Sequence, residues 1–389
     1  MKALFWLAIK SLRHHPWRSL LLMVCLSAVT YVPWVGSVLL QRYGQDLHGR
    51  AAATPLVLGQ PGNRFDLCLG ALFFRKASLP PLHWSDYQAL LERSDHVAVP
   101  LQLGFTVQEL PLVCTTPEYF EQRALVCDSG HTPYAIRQVT LGSKAAAKFG
   151  VSIGDKLHSD PTAGFGLSGA PAQSLEVVGI LHPTHGPDDR AIFASVQTAW
   201  LLHGFLHGHT DLGTLQNEQP NLILGSHSGG LILSGALVPD QAGESPNPVH
   251  LHKDAGALPL STVILWPESD KARTLLQTEI ETEGHFAILR PTTVVEDLMR
   301  YTLRFKTLID RLVWLLGIGM LALFALVTAL SSQMRSKEWT TLRRLGAPPG
   351  TVAGLLALEV GCIAMAALAL AAAGTWITIQ WLPNLVHAL

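Results

Sequence analysis

Three runs of apolar residues in this chain are long enough to cross a lipid bilayer as helices, which takes about 20 residues. They cover residues 19–40, 312–332 and 351–380. Hydrocarbon offers no hydrogen-bond partner to a peptide backbone, so such runs form helices. The first run exceeds the core of a signal peptide, which is about 7 to 15 residues long. The pattern therefore predicts a membrane protein with three transmembrane helices, the first of them uncleaved.

Basic residues flank these spans and predict their orientation. Residues 1–18 mix apolar and basic positions, which is typical of an amphipathic helix on the cytoplasmic membrane face. The segment 333–350 is also basic, and clustered Lys and Arg in a short loop mark the cytoplasmic side. Both segments are therefore predicted to lie inside the cell. The region 41–292 and the tail 381–389 then lie outside, in the periplasm of a Gram-negative cell, with the chain in the inner (plasma) membrane.

The region 41–292 predicts a large mixed α/β (α+β) domain. Branched residues at 175–181 are typical of a strand, and Ser85 is a plausible N-cap for a helix. The stretch 143–150 predicts a helix that ends at a glycine. Residues 204–260 are rich in Gly, Ser, Pro and His, which favours a small subdomain or an insertion. Further predictions are a strand at 261–266, a helix at 269–281, and a strand that starts near 191 after a loop.

A stripe of apolar residues leads into the second span in steps of three and four residues. It consists of Leu298, Tyr301, Phe305, Leu308, Leu312 and Leu315. A helix packed against a core explains this spacing. A stiff stalk helix over 293–311, continuous with the second span, explains it as well.

Composition limits the chemistry that the chain can carry. It is 48% hydrophobic with a net charge of −1, which suits a few spans plus a water-soluble domain and gives nucleic-acid binding no electrostatic support. The sequence contains no Walker A motif, no Gly-x-Ser-x-Gly and no His-Glu-x-x-His. We therefore expect that the chain is not an enzyme.

Five cysteines are too few for a disulfide framework in a chain of this size. Two of them fall inside predicted spans. A bridge between Cys114 and Cys127 is chemically feasible if the large domain lies in an oxidising compartment.

A group of histidines is the candidate metal site. His203, His207, His209 and Asp211 supply side chains that zinc accepts, and a loop can bring three ligands together. Glycines interrupt any helix that would align the first two histidines, and loop histidines are commonly solvated. Both interpretations, a zinc site and a solvated loop, stay open.

The segment between the last two spans carries a charged stretch that ends in a Leu-Gly-Ala turn, followed by an apolar helix with one carboxylate. The residues concerned are Glu338, Leu342, Arg343, Leu345, Gly346, Ala347 and Glu359. This pattern resembles FtsX-like (MacB-type) ABC transporter permeases. Residues 10–20 are similar to the start of that family, and residues 139–203 are similar to its periplasmic core domain.

The resemblance implies a permease subunit that works with a separate ABC ATP-binding subunit, in a homodimer or with a paralogous permease. ATP would bind the partner, and this chain would need no cofactor of its own apart from the zinc considered above. The basic segment would then be a coupling helix and turn, contacting the ATPase through Glu338, Leu342, Arg343, Leu345 and Gly346. ATP hydrolysis would move the periplasmic domain (mechanotransmission) for export, or for release of a lipoprotein or peptide, with a periplasmic partner as a further candidate. The alternative function is a membrane-anchored periplasmic binding, sensor or scaffold protein linked to zinc.

Glu359 is a polar residue inside the third span. Carboxylates within a membrane are costly and often functional. Snorkelling toward water, or pairing with Arg343 or Arg344, is the simpler explanation here. We expect Glu359 to orient the cytoplasmic turn.

The family usually has four spans, whereas three are predicted here. The expectation is that the fourth helix is truncated or lost, so that a dimer interface using that helix would change.

Overall fold

The structure is a computed structural model, and it falls into two compact units. One unit comprises Met1–Gln45 and Met299–Leu389, and we call it the membrane unit. The other comprises Asp46–Leu298, and we call it the head. The structure describes residues 2–14, 16–76, 78–93, 95–161, 173–208, 223–227, 230–233, 249–251, 254–334, 336, 340–341, 344, 346, 348 and 350–386.

Helices and strands are numbered along the chain. The described helices are α1 (Lys2–His14), α2 (Pro16–Ala52), α3 (Arg64–Phe73), α4 (Trp84–Leu91), α5 (Glu118–Gln122), α6 (Ser143–Phe149), α7 (Val196–Leu202), α8 (Asp270–Glu283), α9 (Pro291–Met334) and α10 (Thr351–Val386). The described strands are β1 (Leu56–Gly59), β2 (Leu82–His83), β3 (His96–Val107), β4 (Leu110–Thr115), β5 (Cys127–Gly130), β6 (Gln138–Leu141), β7 (Lys156–His158), β8 (Ser174–Leu181), β9 (Ile192–Ser195), β10 (Leu206–Gly208), β11 (Ile223–His227), β12 (Gly230–Leu233), β13 (Val249–Leu251), β14 (Pro259–Leu260), β15 (Thr262–Pro267) and β16 (Ala287–Leu289).

Within the described part of the chain, three helices are long and apolar enough to cross a membrane. These candidate spans are Ser19–Ala52, Pro291–Val327 and Ala353–Trp381. They lie in α2, α9 and α10, as the hydrophobic pattern predicts. The helices extend beyond the apolar runs at their outer ends, since both α2 and α9 include residues of both units.

One face of α10 is buried within the membrane unit. Its buried residues recur at every fourth position: Leu355, Glu359, Ile363, Ala367, Ala371 and Thr375. Small side chains in such a row let helix backbones approach closely, which is how helices associate in lipid. The α1 helix packs against α10. The Tyr31 hydroxyl on α2 and the Thr378 hydroxyl on α10 are 2.7 Å apart and share a hydrogen bond.

A mixed sheet organises the head, as predicted. Ten of the described strands form it, in the order β16-β1-β15-β3-β4-β9-β6-β8-β5, with β7 paired to β8. The β4–β9 and β6–β8 pairs are parallel, and the remaining pairs are antiparallel. The head and the three candidate spans together give the predicted fold class, a membrane protein with a mixed α/β domain.

Local sequence signals place several of these elements. The predicted helix at 143–150 is α6, and Gly150 follows it with φ of 65°, in the left-handed region that glycine adopts without strain. The predicted strand at 175–181 is β8, and the strand after the loop is β9. The Ser269 hydroxyl accepts from the Ala272 amide at 3.1 Å, which caps α8.

The predicted N-cap at Ser85 is wrong. The cap position of α4 is His83, and the His83 amide donates to the Asp86 carboxylate at 2.8 Å. Asp86 lies three residues after the cap, which is the spacing of a capping box. The carboxylate of Asp86, and not the Ser85 hydroxyl, therefore satisfies the amide of the cap residue.

An aromatic cluster forms part of the core of the head. The Phe74 and Tyr119 rings each contact the Phe193 ring, with centroids 6.0 and 5.6 Å apart. Phe74 has φ of 59°, an uncommon value for a bulky residue, and its side chain is buried. Burial of a ring of this size is worth about 1.5–3 kcal/mol, which offsets the backbone strain.

Several residues of the apolar stripe on α9 are exposed. Tyr301, Phe305 and Leu308 are 57%, 65% and 60% exposed. Residues 293–311 lie within one continuous helix that runs into the second span, as the stalk prediction requires.

All five cysteines lie within the described residues and are free thiols. Cys114 on β4 and Cys127 on β5 belong to strands that are not neighbours in the sheet, so the suggested bridge is absent. Of the predicted 204–260 subdomain, the structure describes residues 204–208, which include β10, then β11, β12 and β13, and residues 254–260.

Candidate functional site

The segment between α9 and α10 contains the predicted coupling residues. Gly346 lies within the described residues, whereas Glu338, Leu342, Arg343 and Leu345 lie outside them. Gly346 has φ of 87°, a left-handed conformation that favours glycine. This agrees with a helix stop at this position, which the sequence predicts.

The turn ends directly at the start of α10. The Pro348 carbonyl accepts hydrogen bonds from the Thr351 amide at 3.0 Å and from the Thr351 hydroxyl at 2.7 Å. The first turn of α10 is therefore tied to the residues just after Gly346.

Glu359 lies two turns into α10 and is 4% exposed. It belongs to the buried row of that helix, within the membrane unit. Arg344 is exposed, and Arg343 lies outside the described residues. The orienting role of Glu359 stays a prediction.

His203 is the first residue of the candidate metal site, and it has polar and aromatic partners in the head. Its Nε2 is 3.1 Å from Nε2 of Gln102, which is 5% exposed. The Phe105 and Phe205 rings lie 4.7 and 5.5 Å from the imidazole, measured between centroids. These contacts position the imidazole ring.

The remaining candidate ligands are described only in part. His207 lies on β10, where the register pairs it with His250 on β13. His209 and Asp211 lie outside the described residues. Among the residues that the structure describes, no group of three or more His, Cys, Asp and Glu side chains is arranged to hold a metal ion.

A buried polar cluster that the sequence does not indicate lies where α2 ends in the head. It consists of Arg50, Tyr119, Arg123 and Asp188, and we call it the Arg50 cluster. The Arg50 guanidinium donates to both carboxylate oxygens of Asp188, with Nη1–Oδ2 of 2.6 Å and Nη2–Oδ1 of 3.0 Å. It also donates from Nη2 to the Tyr119 hydroxyl at 2.9 Å and from Nε to the Leu72 carbonyl at 3.2 Å. Two parallel bonds of this kind form the strongest geometry available to an arginine and a carboxylate.

The centre of the cluster is buried. The side chains of Arg50 and Asp188 are 10% and 3% exposed, and Tyr119 is fully buried. Burial raises the pKa of Tyr119, so its hydroxyl keeps its proton and donates to Asp188 Oδ1 at 2.7 Å. The single carboxylate is thus bound by a guanidinium and a phenol at once.

Arg123 also binds the end of α2. Its Nη1 donates to the Ala53 carbonyl at 3.0 Å, and its Nη2 donates to the Thr54 hydroxyl at 2.6 Å. Its guanidinium also lies over the Trp266 ring, 5.3 Å from the centroid. The last carbonyls of a helix carry partial negative charge, which compensates this second cation. Burial, and then the charge of Arg50, lower the pKa of Arg123.

Comparisons with known proteins give structural neighbours for the head. No family model matches the chain, and no curated protein matches it. The periplasmic region of MacB from Actinobacillus actinomycetemcomitans is similar over 63% of this chain and 92% of its own, with 11% identity and a TM-score of 0.34. The extracellular domain of YknZ, described as a noncanonic ABC-type transporter from Gram-positive bacteria, is similar over 60% of this chain and 98% of its own, with 13% identity and a TM-score of 0.31. At these values the likeness does not assign the chain to a family.

Proposed function

We propose that this chain is the permease subunit of an ABC-type complex. A separate ATP-binding subunit contacts the segment between α9 and α10, and the head lies outside the cytoplasm. The order of elements carries the proposal: a span, a head of 253 residues counted from Asp46 to Leu298, a second span, a short basic segment and a third span. A chain without a Walker A motif needs such a partner to use ATP.

Continuous helices support mechanotransmission as the mechanism. An α-helix rises 1.5 Å per residue and is stiff over this distance. The α9 helix runs from the head to the basic segment over 44 residues. A displacement imposed at the cytoplasmic end of α9 therefore reaches the head, where it drives export or the release of a lipoprotein or peptide.

The stripe on α9 supports assembly with a second permease subunit. Tyr301, Phe305 and Leu308 are exposed. They lie beside charged residues, on the outer side of the span. Apolar side chains at three- and four-residue steps form the seam of a coiled coil. A second copy of this chain, or a paralogue, covers this stripe in the assembled complex.

Co-purification tests the proposal. Charge reversal at both Glu338→Lys and Arg343→Glu is expected to release a nucleotide-binding subunit that purifies with the unmodified chain. Glu92→Lys is the matched control, because Glu92 is exposed on the head. Retention of the subunit by the double variant, or its absence from the unmodified preparation, would contradict the proposal.

The orientation is tested separately with a membrane-impermeant maleimide on intact cells whose outer membrane has been permeabilised. Asp128→Cys lies at an exposed position of the head, and Thr340→Cys lies between α9 and α10. We expect labelling of the first variant above the background of the unmodified chain, and of the second only after lysis. The reverse order would place the head in the cytosol.

A zinc-linked sensor or scaffold is the second candidate function. The observation in its favour is the β10–β13 register, which pairs His207 with His250. Calorimetric titration of the full chain with zinc tests it, with His207→Ala as the variant and exposed His285→Ala as the control. Absence of binding at micromolar zinc removes this candidate.

A further inference from the structure

We propose that the Arg50 cluster is a rigid joint that makes the outer end of α2 part of the head, so that movement of α2 reaches the central sheet undiminished. Arg50, Tyr119 and Asp188 are positioning residues in this role. The use of the joint in transport rests on the proposed function, whereas the rigidity of the joint does not.

The last turns of α2 are embedded in the head. Leu47 and Ala51 are 1% and 0% exposed, and they lie on one face of the helix because they are four residues apart. Thr54, just beyond the helix, is 1% exposed, and its hydroxyl donates to the Arg50 carbonyl at 3.0 Å. The end of α2 is therefore packed and hydrogen-bonded as a core element is.

The guanidinium of Arg50 joins the helix end to three separate parts of the head. Its partners are the end of α3 at Leu72, helix α5 at Tyr119, and the turn Pro187–Arg190 at Asp188. The donors of a guanidinium are fixed in one plane, so these bonds set the rotation of α2 about its axis as well as its distance. Apolar contacts are not directional and restrict that rotation less closely.

The turn that carries Asp188 leads into the middle of the sheet. Strand β9 follows it at once and lies between β4 and β6. The backbone at Gly142 also packs closely against this turn, since a Cβ on Gly142 would lie 2.1 Å from the Asp188 carbonyl oxygen. A force applied to Asp188 therefore meets packed backbone and passes to β9.

Helix α5 binds the end of α2 at two points. Tyr119 lies within α5 and bonds Arg50, and Arg123 directly follows α5 and bonds Ala53 and Thr54. Two attachments to the helix terminus resist tilting, which a single contact would allow. The cluster thus fixes distance, rotation and tilt together.

Electron spin resonance distance measurement tests the rigidity. Spin labels are placed through a non-natural amino acid at the exposed positions His48 and Glu92 of the full chain in nanodiscs, so the native cysteines stay unchanged. The unmodified protein is expected to give one narrow distance peak. Arg50→Lys keeps the charge but not the planar donors, and Tyr119→Phe keeps the ring but not the hydroxyl. Both are expected to lose the narrow peak to a broad distribution.

Ile280→Val is the control, since Ile280 lies on α8 and is 1% exposed in a different part of the core. It lowers stability without touching the cluster, and its distance peak is expected to stay narrow. Peaks that stay narrow in both cluster variants would overturn the proposal, and so would equal broadening in the control.

The role in transport is measured as cargo moved per ATP hydrolysed in the assembled complex. Tyr119→Phe is expected to lower this ratio while leaving the ATPase rate unchanged, because the ATP-binding subunit is not altered. A broadened distance with an unchanged ratio would overturn the use of the joint in transport. Failure to find any ATP-binding partner would refute the proposed function, and the distance result would still decide the rigidity.

Discussion

Removal of the Asp188 carboxylate is expected to destabilise the head more than an ordinary core truncation does. In Asp188→Ala, the Arg50 guanidinium keeps its burial and loses the carboxylate that compensates it. Breaking a buried ion pair by removing one partner costs about 3–5 kcal/mol. The loss of the acceptor for Tyr119 overlaps with this cost and is not added to it. Arg50 is 10% exposed, so some water reaches it, and we expect about 3 kcal/mol.

Two further variants separate the parts of this cost. Tyr119→Phe leaves the two Arg50–Asp188 bonds intact and removes the bond that the hydroxyl donates to Asp188 and the bond that it accepts from Arg50 Nη2. A hydrogen bond to a charged group is worth about 1.5 kcal/mol, and the Arg50 Nη2 donor keeps its bond to Asp188, so a loss of about that size is expected. The double variant Arg50→Met with Asp188→Leu removes both charges and keeps apolar volume. Replacing a buried pair in this way is often neutral or stabilising. The double variant is therefore expected to be more stable than Asp188→Ala.

Urea unfolding of the full chain in detergent, followed by tryptophan fluorescence, measures these differences. Trp266 lies against Arg123 and reports on the cluster. Ile280→Val is the reference, with an expected loss of about 0.5–1.5 kcal/mol. If Asp188→Ala lost less than this reference, or if the double variant lost the sum of its single variants, the cluster would not be a closed ion pair.

Three further results follow from the described contacts. Burial raises the pKa of Asp160, but the hydrogen bonds it accepts outweigh this and hold the pKa below its ordinary value of about 3.9. The stabilisation by the Asp160 carboxylate is thus present above that pH and lost as pH falls below it. The urea midpoints of Asp160→Asn and of the unmodified chain should therefore converge in acid and separate at neutral pH. A difference between the two midpoints that does not change with pH would contradict this. Gly142→Ala forces a Cβ to within 2.1 Å of a backbone oxygen and should lower the free energy of unfolding by about 1–3 kcal/mol, whereas Gly49→Ala, with open space around it, should not. Equal free energies of unfolding for the two variants would refute the steric argument. Tyr31→Phe removes the hydroxyl contact between α2 and α10 and should lower the thermal stability of the membrane unit by about 0.6 kcal/mol, with no change in the head.

Elements with a local cause could be predicted from the sequence. Helix α6 ends at a glycine because the left-handed residue after a helix favours one, and Ser269 begins α8 because a hydroxyl satisfies a free amide. The three candidate spans follow from the length of their apolar runs. Each of these depends only on neighbouring residues.

The β3–β4 hairpin shows why a local signal can be missing. Its turn is Gln108–Glu109, and both residues have positive φ, 47° and 70°, as a type I′ turn requires. Such turns usually carry Asn-Gly, so nothing in these two residues indicates a hairpin. The Asp160 carboxylate accepts from both turn amides, at 2.9 and 3.0 Å. The turn is thus stabilised by a residue some fifty positions away.

The Arg50 cluster could not be predicted for the same reason. Arg50 and Asp188 are 138 residues apart, and Asp188 lies in a loop whose sequence shows only turn residues. An arginine at the end of a long helix is also a common solvated residue. Only the folded sheet brings the two together.

Stability and orientation are separable at this joint, and one variant shows the difference. The Arg50→Met, Asp188→Leu pair fills the same space with apolar groups, so its urea midpoint is expected to stay near that of the unmodified chain. Apolar packing does not fix the rotation of a helix as a planar guanidinium does, so the distance between labels at 48 and 92 is expected to broaden in the same protein. A folded, stable head with a loosened α2 would show that the charges serve orientation. If the midpoint and the narrow distance were both preserved, apolar packing would suffice at this position, and the joint would not depend on the ion pair.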